Sequence, residues 1–296
     1  MVFLPGLFVV LWSTGFIVSR AIAPFADSTL FLCARFGLSA LLFCIVAKLI
    51  GAAWPPLRAW PRHMAIGILM YGSYLCASFK AVALGLPPAV MALFGAFQPM
   101  LTALIAWHCF GERPGASLFA GLAAGFCGVA LVMLPLLLPS RLDGGMTTVL
   151  LLAAFAIAAL TAGTLLQRTL TSSGSLWSSA ALQNAASLLL AGLLAWLSGE
   201  SRWEPGVVLY GALFWSVLGL SGAGSLILVL LVNRGHAARA TSLLYLVPPL
   251  VAAQAYYFFD GALTTMQMAG FAIALAGVAV CRRKERPNHD PAPRAQ

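Results

Sequence analysis

Apolar residues occur in this chain in blocks of roughly 19 to 24, the length that a helix needs to cross a hydrocarbon layer of about 30 Å. Residues of the apolar set AVILMFWYC make up 61% of the 296 residues, and charged residues only 8%. Soluble domains contain about 45–50% apolar and about 25% charged residues. The sequence therefore excludes a water-soluble fold and predicts an all-α membrane protein.

Ten blocks have the required length, and we expect each to cross the membrane once. No room for a soluble domain remains between them. The first block has no basic region before it and no small-residue cleavage site after it, which indicates a retained helix rather than a signal peptide. The ten predicted spans are residues 4–22, 28–50, 63–84, 88–110, 116–138, 147–167, 176–198, 207–232, 238–259 and 263–281.

The distribution of basic residues predicts the orientation. The chain has 17 Lys and Arg against 8 Asp and Glu, a net charge of +9. With a cytoplasmic N-terminus, only Arg20, Lys80, Arg141 and Arg202 fall on the far side of the membrane, and the excess lies inside, as the positive-inside rule requires. Both termini are therefore predicted to be cytoplasmic in a cell (inner) membrane. The basic tail, residues 284–296, should contact anionic lipids rather than a nucleic acid.

Two halves of the chain resemble each other, and we divide it into five-helix repeats at residues 1–139 and 147–283. Five is an odd number, so the second repeat enters the membrane inverted relative to the first. Inverted repeats are typical of secondary transporters, which bind substrate near the midplane, although channels and membrane enzymes also contain repeats. A shift of 148 or 149 aligns Gly15 with Gly163, Arg20 with Arg168, Ser73 with Ser221, Pro99 with Pro248 and Gly128 with Gly277.

Several segments resemble a known family. Residues 88–113 read PAVMALFGAFQPMLTALIAWHCFGER, residues 121–133 read GLAAGFCGVALVM, and the second half repeats the pattern as SLLYLVPPLVAA and AGFAIALAGVAV. These segments, with LWSTGF in the first span, resemble EamA repeats of the drug/metabolite transporter superfamily. The second copy departs from the pattern at Phe259-Asp260-Gly261. The resemblance implies a ten-helix transporter, and similar members include amino-acid exporters.

Prolines inside the spans are candidate hinges. Pro99, Pro248 and Pro249 lack a backbone N–H and leave the carbonyl four residues earlier without its helical partner. Such a carbonyl is tolerated at membrane depth only where protein, water or ligand satisfies it. We expect both kinks to face a central cavity, with a packing kink as the alternative.

Aromatic and polar residues in the spans are candidate substrate contacts. Gln98 beside the first kink is the strongest polar candidate. On the third span Gly67, Tyr71, Tyr74 and Ser78 share a helical face, which indicates either a cavity wall or close helix packing. The predicted substrate-binding residues are Trp12, Thr14, Tyr71, Tyr74, Phe94, Gln98, Thr161, Trp215 and Tyr245.

Arg35 is the one charge well inside a span. A charge at that depth is expensive and marks a functional candidate. It could attract a substrate carboxylate, or it could snorkel or bind backbone carbonyls, and its closeness to the outer end of the span favours the structural role.

No catalytic or cofactor pattern is present in the sequence. All eight carboxylates fall in loops or at span ends, there is no P-loop, and the six cysteines lack metal-ligand spacing. We therefore expect no enzyme activity, no metal and no cofactor. Glycines on the fifth and tenth spans indicate helix packing within the chain, or a homodimer in place of a monomer.

These observations predict a secondary transporter that exports or facilitates passage of small neutral or zwitterionic metabolites, such as amino acids, by alternating access. A drug or sugar-metabolite transporter of the same fold is the alternative, followed by a membrane protein with no transport role.

Overall fold

The computed structural model describes residues 3–110, 116–134, 145–168, 174–224, 226–227, 247–259 and 264–283. In these residues the chain is helical apart from short connections, and an isolated antiparallel bridge joins Ala26 to Trp203. We number the helices α1 (Phe3–Ala21), α2 (Ser28–Leu49), α3 (residues 60–83), α4 (Pro88–Ala96 and Gln98–Phe110), α5 (Ala116–Met133), α6 (Gly145–Arg168), α7 (Leu176–Leu197), α8 (residues 207–223), α9 (Val247–Phe259) and α10 (Thr265–Arg283).

Four described helices are long and apolar enough to cross a membrane: Ser28–Leu49, Leu57–Ala83, Gly145–Gln167 and Leu176–Leu197. Their outward faces carry large apolar side chains, such as Leu41, Phe155 and Leu189, which are more than half exposed. Apolar surface of this extent is suited to lipid rather than water. The prediction of an all-helical membrane protein is confirmed for the described residues. The arrangement as ten spans in two inverted repeats stays a prediction.

Helices α3 and α8 each contain a π-helical segment that a regular 3.6-residue period does not predict. In α3 it is Ile68–Ser73, between the α-helical segments Trp60–Gly67 and Tyr74–Ala83. In α8 it is Trp215–Ala223, after the α-helical segment Val207–Phe214. A shift of 148 places the first segment inside the second. π-Helical turns are rare and are frequent at functional sites.

Helix α4 is interrupted at Phe97, two residues before Pro99. The backbone N–H of Phe97 donates to the carbonyl of Phe94 over 3.1 Å, a tighter turn than an α-helix makes. A proline has no N–H with which to continue the helical bonds behind it. The position of the interruption agrees with the kink expected from the sequence.

The loops at the two ends of α2 each contact the second half of the chain. At one end, the backbone N–H of Asp27 donates to the carbonyl of Arg202 over 3.0 Å. At the other, the backbone N–H of Ser175 donates to the carbonyl of Ala53 over 2.9 Å. Helices α2 and α7 pack along their length, and this pair forms part of the scaffold around the site.

Helices α5 and α10 pack closely through their glycines. A Cβ atom on Gly277 would lie 2.8 Å from the backbone of both Gly121 and Gly125, and one on Gly270 would lie 2.7 Å from the carbonyl oxygen of Gly128. No side chain fits in that space. The glycine stripes are thus used for packing between helices of one chain.

Candidate functional site

A cavity of about 200 Å³ lies among helices α1, α2, α3, α4, α6, α7 and α8. Its walls are mainly aromatic and aliphatic, with two glycines that leave space. The apolar and glycine lining comprises Trp12, Gly15, Phe16, Phe36, Phe43, Met70, Leu75, Phe79, Val82, Met91, Leu160, Leu220 and Gly224. The polar lining comprises Ser19, Arg35, Tyr71, Tyr74, Ser78, Asn184 and Ser221.

The two π-helical segments supply part of this wall. Met70 and Tyr71 come from the segment in α3, and Leu220 and Ser221 from the segment in α8. A π-helical turn holds an extra residue and so changes which side chains face a given direction. Tyr74, at the end of the first segment, faces the cavity beside Tyr71, whereas Gly67 does not line it.

Gly67 instead lies in a close contact between α3 and α7. A Cβ atom there would overlap the backbone of Gln183. The carbonyl of Gly67 also accepts a hydrogen bond of 2.9 Å from the Ser187 hydroxyl. Of the two interpretations for the α3 face, helix packing applies to Gly67, and the cavity wall applies to its aromatic members.

Three polar groups of the lining are hydrogen-bonded within the protein. Ser19 donates to the carbonyl of Phe16 over 2.7 Å, and Asn184 donates through Nδ2 to the carbonyl of Ala180 over 2.8 Å. Ser221 accepts from the Ser39 hydroxyl over 3.0 Å and donates to the carbonyl of Ser216. These bonds hold the side chains in place.

Four other polar groups of the lining make no hydrogen bond to the described residues: Arg35, Tyr71, Tyr74 and Ser78. The guanidinium of Arg35 lines the cavity together with the side chains of both tyrosines. The hydroxyl of Ser78 is buried at 4% exposure and unpaired. A buried hydroxyl without a partner is uncommon, since it gives up the hydrogen bonds that it makes to water.

No carboxylate lines the cavity among the described residues. The Asp27 carboxylate, just before α2, accepts hydrogen bonds from the backbone N–H groups of Ser201 and Arg202. The Glu200 carboxylate, in the loop after α7, forms a salt bridge with Lys80. Arg35 forms no salt bridge with any described residue. In the same residues, no group of three His, Cys, Asp or Glu side chains is arranged to hold a metal ion.

Four of the other predicted site residues do not line the cavity and instead make hydrogen bonds within the protein: Thr14, Gln98, Thr161 and Trp215. Gln98 Nε2 donates to Thr164 Oγ1 over 2.9 Å and joins α4 to α6. Trp215 Nε1 donates to Thr14 Oγ1 over 2.8 Å and joins α8 to α1. Thr161 is buried and donates to the carbonyl of Ile157.

The structure brings Trp12, Tyr71, Tyr74 and Arg35 together in the cavity wall. Phe94 packs against the adjoining apolar core, as a half-buried side chain. Of the hinge candidates, Pro248 is buried and Pro249 half-buried near the start of α9, while the side chain of Pro99 and the whole of Tyr245 lie outside the described residues.

Sequence reasoning missed several lining residues, notably Phe36, Phe79, Asn184 and Ser221. Two signals pointed toward them. A shift of 148 relates Arg35 to Gln183, the neighbour of Asn184, and relates Ser73 to Ser221. Phe36 and Phe79 carried no signal, because helices that are apolar all round do not reveal which face is inward.

Comparison with known proteins agrees with these observations. Residues 2–134 match the profile of the EamA-like transporter family. The uncharacterized transporter YvbV of Bacillus subtilis (strain 168) is 25% identical over 286 residues, which cover 94% of this chain and 90% of that protein. A crystal structure of another protein superposes with a TM-score of 0.66 at 20% identity, covering 96% of this chain and 98% of the other, and shows a shared fold. Residues 2–134 are therefore similar to the EamA-like transporter family, and the chain is a multi-pass membrane protein.

Proposed function

We propose that the protein is a secondary transporter that moves a small organic metabolite through the cavity between its helices. The observation that carries this proposal is the cavity itself, which combines aromatic walls with a few converging polar groups inside a membrane bundle. Pockets of that composition are the usual binding sites for small molecules. A purely structural role would not require a solute-sized space at this position.

The proposal includes alternating access by two inverted five-helix repeats. Support comes from the matching π-helical segments in α3 and α8, which both reach the cavity. In inverted-repeat transporters the substrate site lies at the interface of the repeats, and one repeat moves against the other around it.

The cavity favours a small metabolite over a drug-sized compound. Its volume, about 200 Å³, is below the roughly 300–1,000 Å³ of pockets that take drug-sized ligands. Its aromatic and aliphatic walls are poorly suited to a sugar, which needs hydrogen-bond partners around its whole ring. A neutral or zwitterionic metabolite with an apolar body, such as an amino acid, fits best.

The same proposal puts both termini in the cytoplasm and the protein in the cell membrane, with the basic tail 284–296 against anionic lipids. The basis is the distribution of Lys and Arg in the sequence. The glycines of α5 and α10 pack the two helices together within one chain, so a monomer explains them. A homodimer formed through other surfaces is compatible with this packing.

Counterflow into proteoliposomes tests transport directly. Vesicles loaded with an unlabelled amino acid, sugar or organic cation are diluted into the same labelled solute, and uptake is compared with that of protein-free vesicles. We expect uptake above the protein-free level for small metabolites with an apolar body. Equal uptake by both kinds of vesicle for every solute would contradict a transport role.

A further inference from the structure

Arg35 faces the cavity without a counter-ion among the described residues. It is the eighth residue of α2, so it lies about 10 Å along the helix from the nearer end. An arginine stays protonated in proteins, so the charge cannot be removed by deprotonation. A charge in a mostly apolar space requires compensation by an anion or by several acceptors.

Three other polar groups of the lining are hydroxyls that can each donate a hydrogen bond. The hydroxyls of Tyr71, Tyr74 and Ser78 make no hydrogen bond to a described residue, and that of Ser78 is buried. The lining carries no negative charge among the described residues, because its serine hydroxyls and the side-chain oxygen of Asn184 can accept hydrogen bonds but are neutral. A carboxylate has two oxygens that accept only, and a guanidinium can bind both at once.

The remaining lining of the cavity is mostly apolar. Trp12, Phe36 and Phe79 contribute rings, and Met91 contributes a flexible thioether. An ammonium group would meet Arg35 as a like charge and would find no carboxylate among the described lining residues. The chemistry of the lining thus distinguishes the two charged ends of an amino acid.

We infer that the cavity contains an anion subsite, formed by Arg35, Tyr71, Tyr74 and Ser78, that binds the carboxylate of a substrate with an apolar body. The inference rests on the proposed function and specifies the group that the substrate must carry. The carboxylate is the required group, and an α-ammonium group adds little to binding. Small monocarboxylates and apolar amino acids are both ligands, whereas amines and neutral amides of the same shape are poor ones.

Binding to the purified full-length protein in detergent tests this subsite with a matched set of probes. 3-Phenylpropionate, phenylalanine, 3-phenylpropionamide and 2-phenylethylamine share one ring and differ in their charged groups. A second set, 4-methylpentanoate, leucine, 4-methylpentanamide and isopentylamine, replaces the ring by a branched chain. Each is titrated calorimetrically into protein and into protein-free micelles. We expect the carboxylates to bind at least about tenfold more tightly than the amides, and the amines to bind weakest.

Variants assign the effect to Arg35. Arg35→Met removes the charge at similar length and should weaken carboxylate binding by about 10- to 100-fold, with no change for the amides. Arg35→Lys keeps the positive charge but lacks the paired N–H donors, so it should weaken carboxylate binding less than Arg35→Met does. Ser78→Ala should weaken carboxylate binding by about 2- to 10-fold. Arg58→Met removes an exposed arginine outside the cavity and should leave every affinity unchanged.

Several results would overturn the inference. Equal binding of carboxylates and amides, tighter binding of amines, no binding of any probe, or carboxylate affinity unaffected by Arg35→Met would each exclude the anion subsite. Selective carboxylate binding without counterflow would instead contradict the proposed transport while the subsite stands. If Arg35→Met does not elute as a single species in gel filtration, the anion subsite is tested by two other measurements. These are the comparison of probes on the parent protein and the carboxylate affinity of the Arg35→Lys variant.

Discussion

Lys80 Nζ lies 3.1 Å from Glu200 Oε1, in a salt bridge that joins the end of α3 to the loop after α7. The same carboxylate accepts backbone hydrogen bonds from Thr29 at 2.9 Å and Leu30 at 3.1 Å, at the first turn of α2. A carboxylate at a helix N-terminus satisfies N–H groups that have no partner within the helix. Glu200 therefore connects three elements at one end of the bundle.

Glu200→Gln should lower the free energy of unfolding by about 1–3 kcal/mol, because a buried charged acceptor of two N–H groups is lost. Lys80→Met should have a smaller effect, since the lysine side chain is 42% exposed and solvent screens the ion pair. Glu204→Gln, at an exposed position of the same loop, is the control. The free energy of unfolding of the three variants is measured in detergent. Equal values for Glu200→Gln and Glu204→Gln would contradict the role of Glu200 in connecting the three elements.

Gly277→Ala should destabilise the protein by about 1–3 kcal/mol, because the added methyl group would enter the backbone of α5. Gly192→Ala is the matched control. No atom lies within 4 Å of a Cβ built at that position of α7, and alanine is the better helix former. Thermal unfolding should therefore separate the two variants in opposite directions. A neutral Gly277→Ala would mean that α5 and α10 are less closely packed than described.

Gln98→Ala tests whether the amide bonded to Thr164 also contacts solute. We expect an apparent affinity reduced by up to about tenfold, for a neutral hydrogen bond of about 0.5–1.5 kcal/mol. Thr164→Val removes the partner hydroxyl with little change of shape. It should reduce the apparent affinity less than Gln98→Ala does. Concentration-dependent counterflow measures both. If the two variants lose affinity equally, the Gln98–Thr164 bond has only a structural role.

Topology can be tested with reporter fusions after Asp260 and at Gln296. We expect the first fusion outside the cytoplasm and the second inside, as the positive-inside distribution predicts. Reporters that need opposite compartments for activity, such as a phosphatase and a fluorescent protein, give independent readouts. Both fusion sites on one side would contradict the inverted repeat.

Much of the helical arrangement could be predicted from the sequence, and little of the site geometry. The predicted span 28–50 agrees with α2, and Pro99 indicated the interruption at Phe97, because span length and proline chemistry act locally. The π-helical segments could not be predicted, since apolar sequence is compatible with either helical period. Arg35 was visible as a charge, but its missing counter-ion depends on which helices surround it.

The central claim is that solute passes through the cavity, and a side chain that fills the cavity tests it most directly. Gly15 lines the cavity, and among the described residues a Cβ there would contact only Leu220, at 3.6 Å. Gly15→Phe should fold, fill the space and abolish counterflow. Gly6→Phe, on the exposed part of the same helix with no atom within 4 Å, should transport like the parent at matched protein levels. Counterflow by Gly15→Phe equal to that of Gly6→Phe would show that the solute path lies elsewhere.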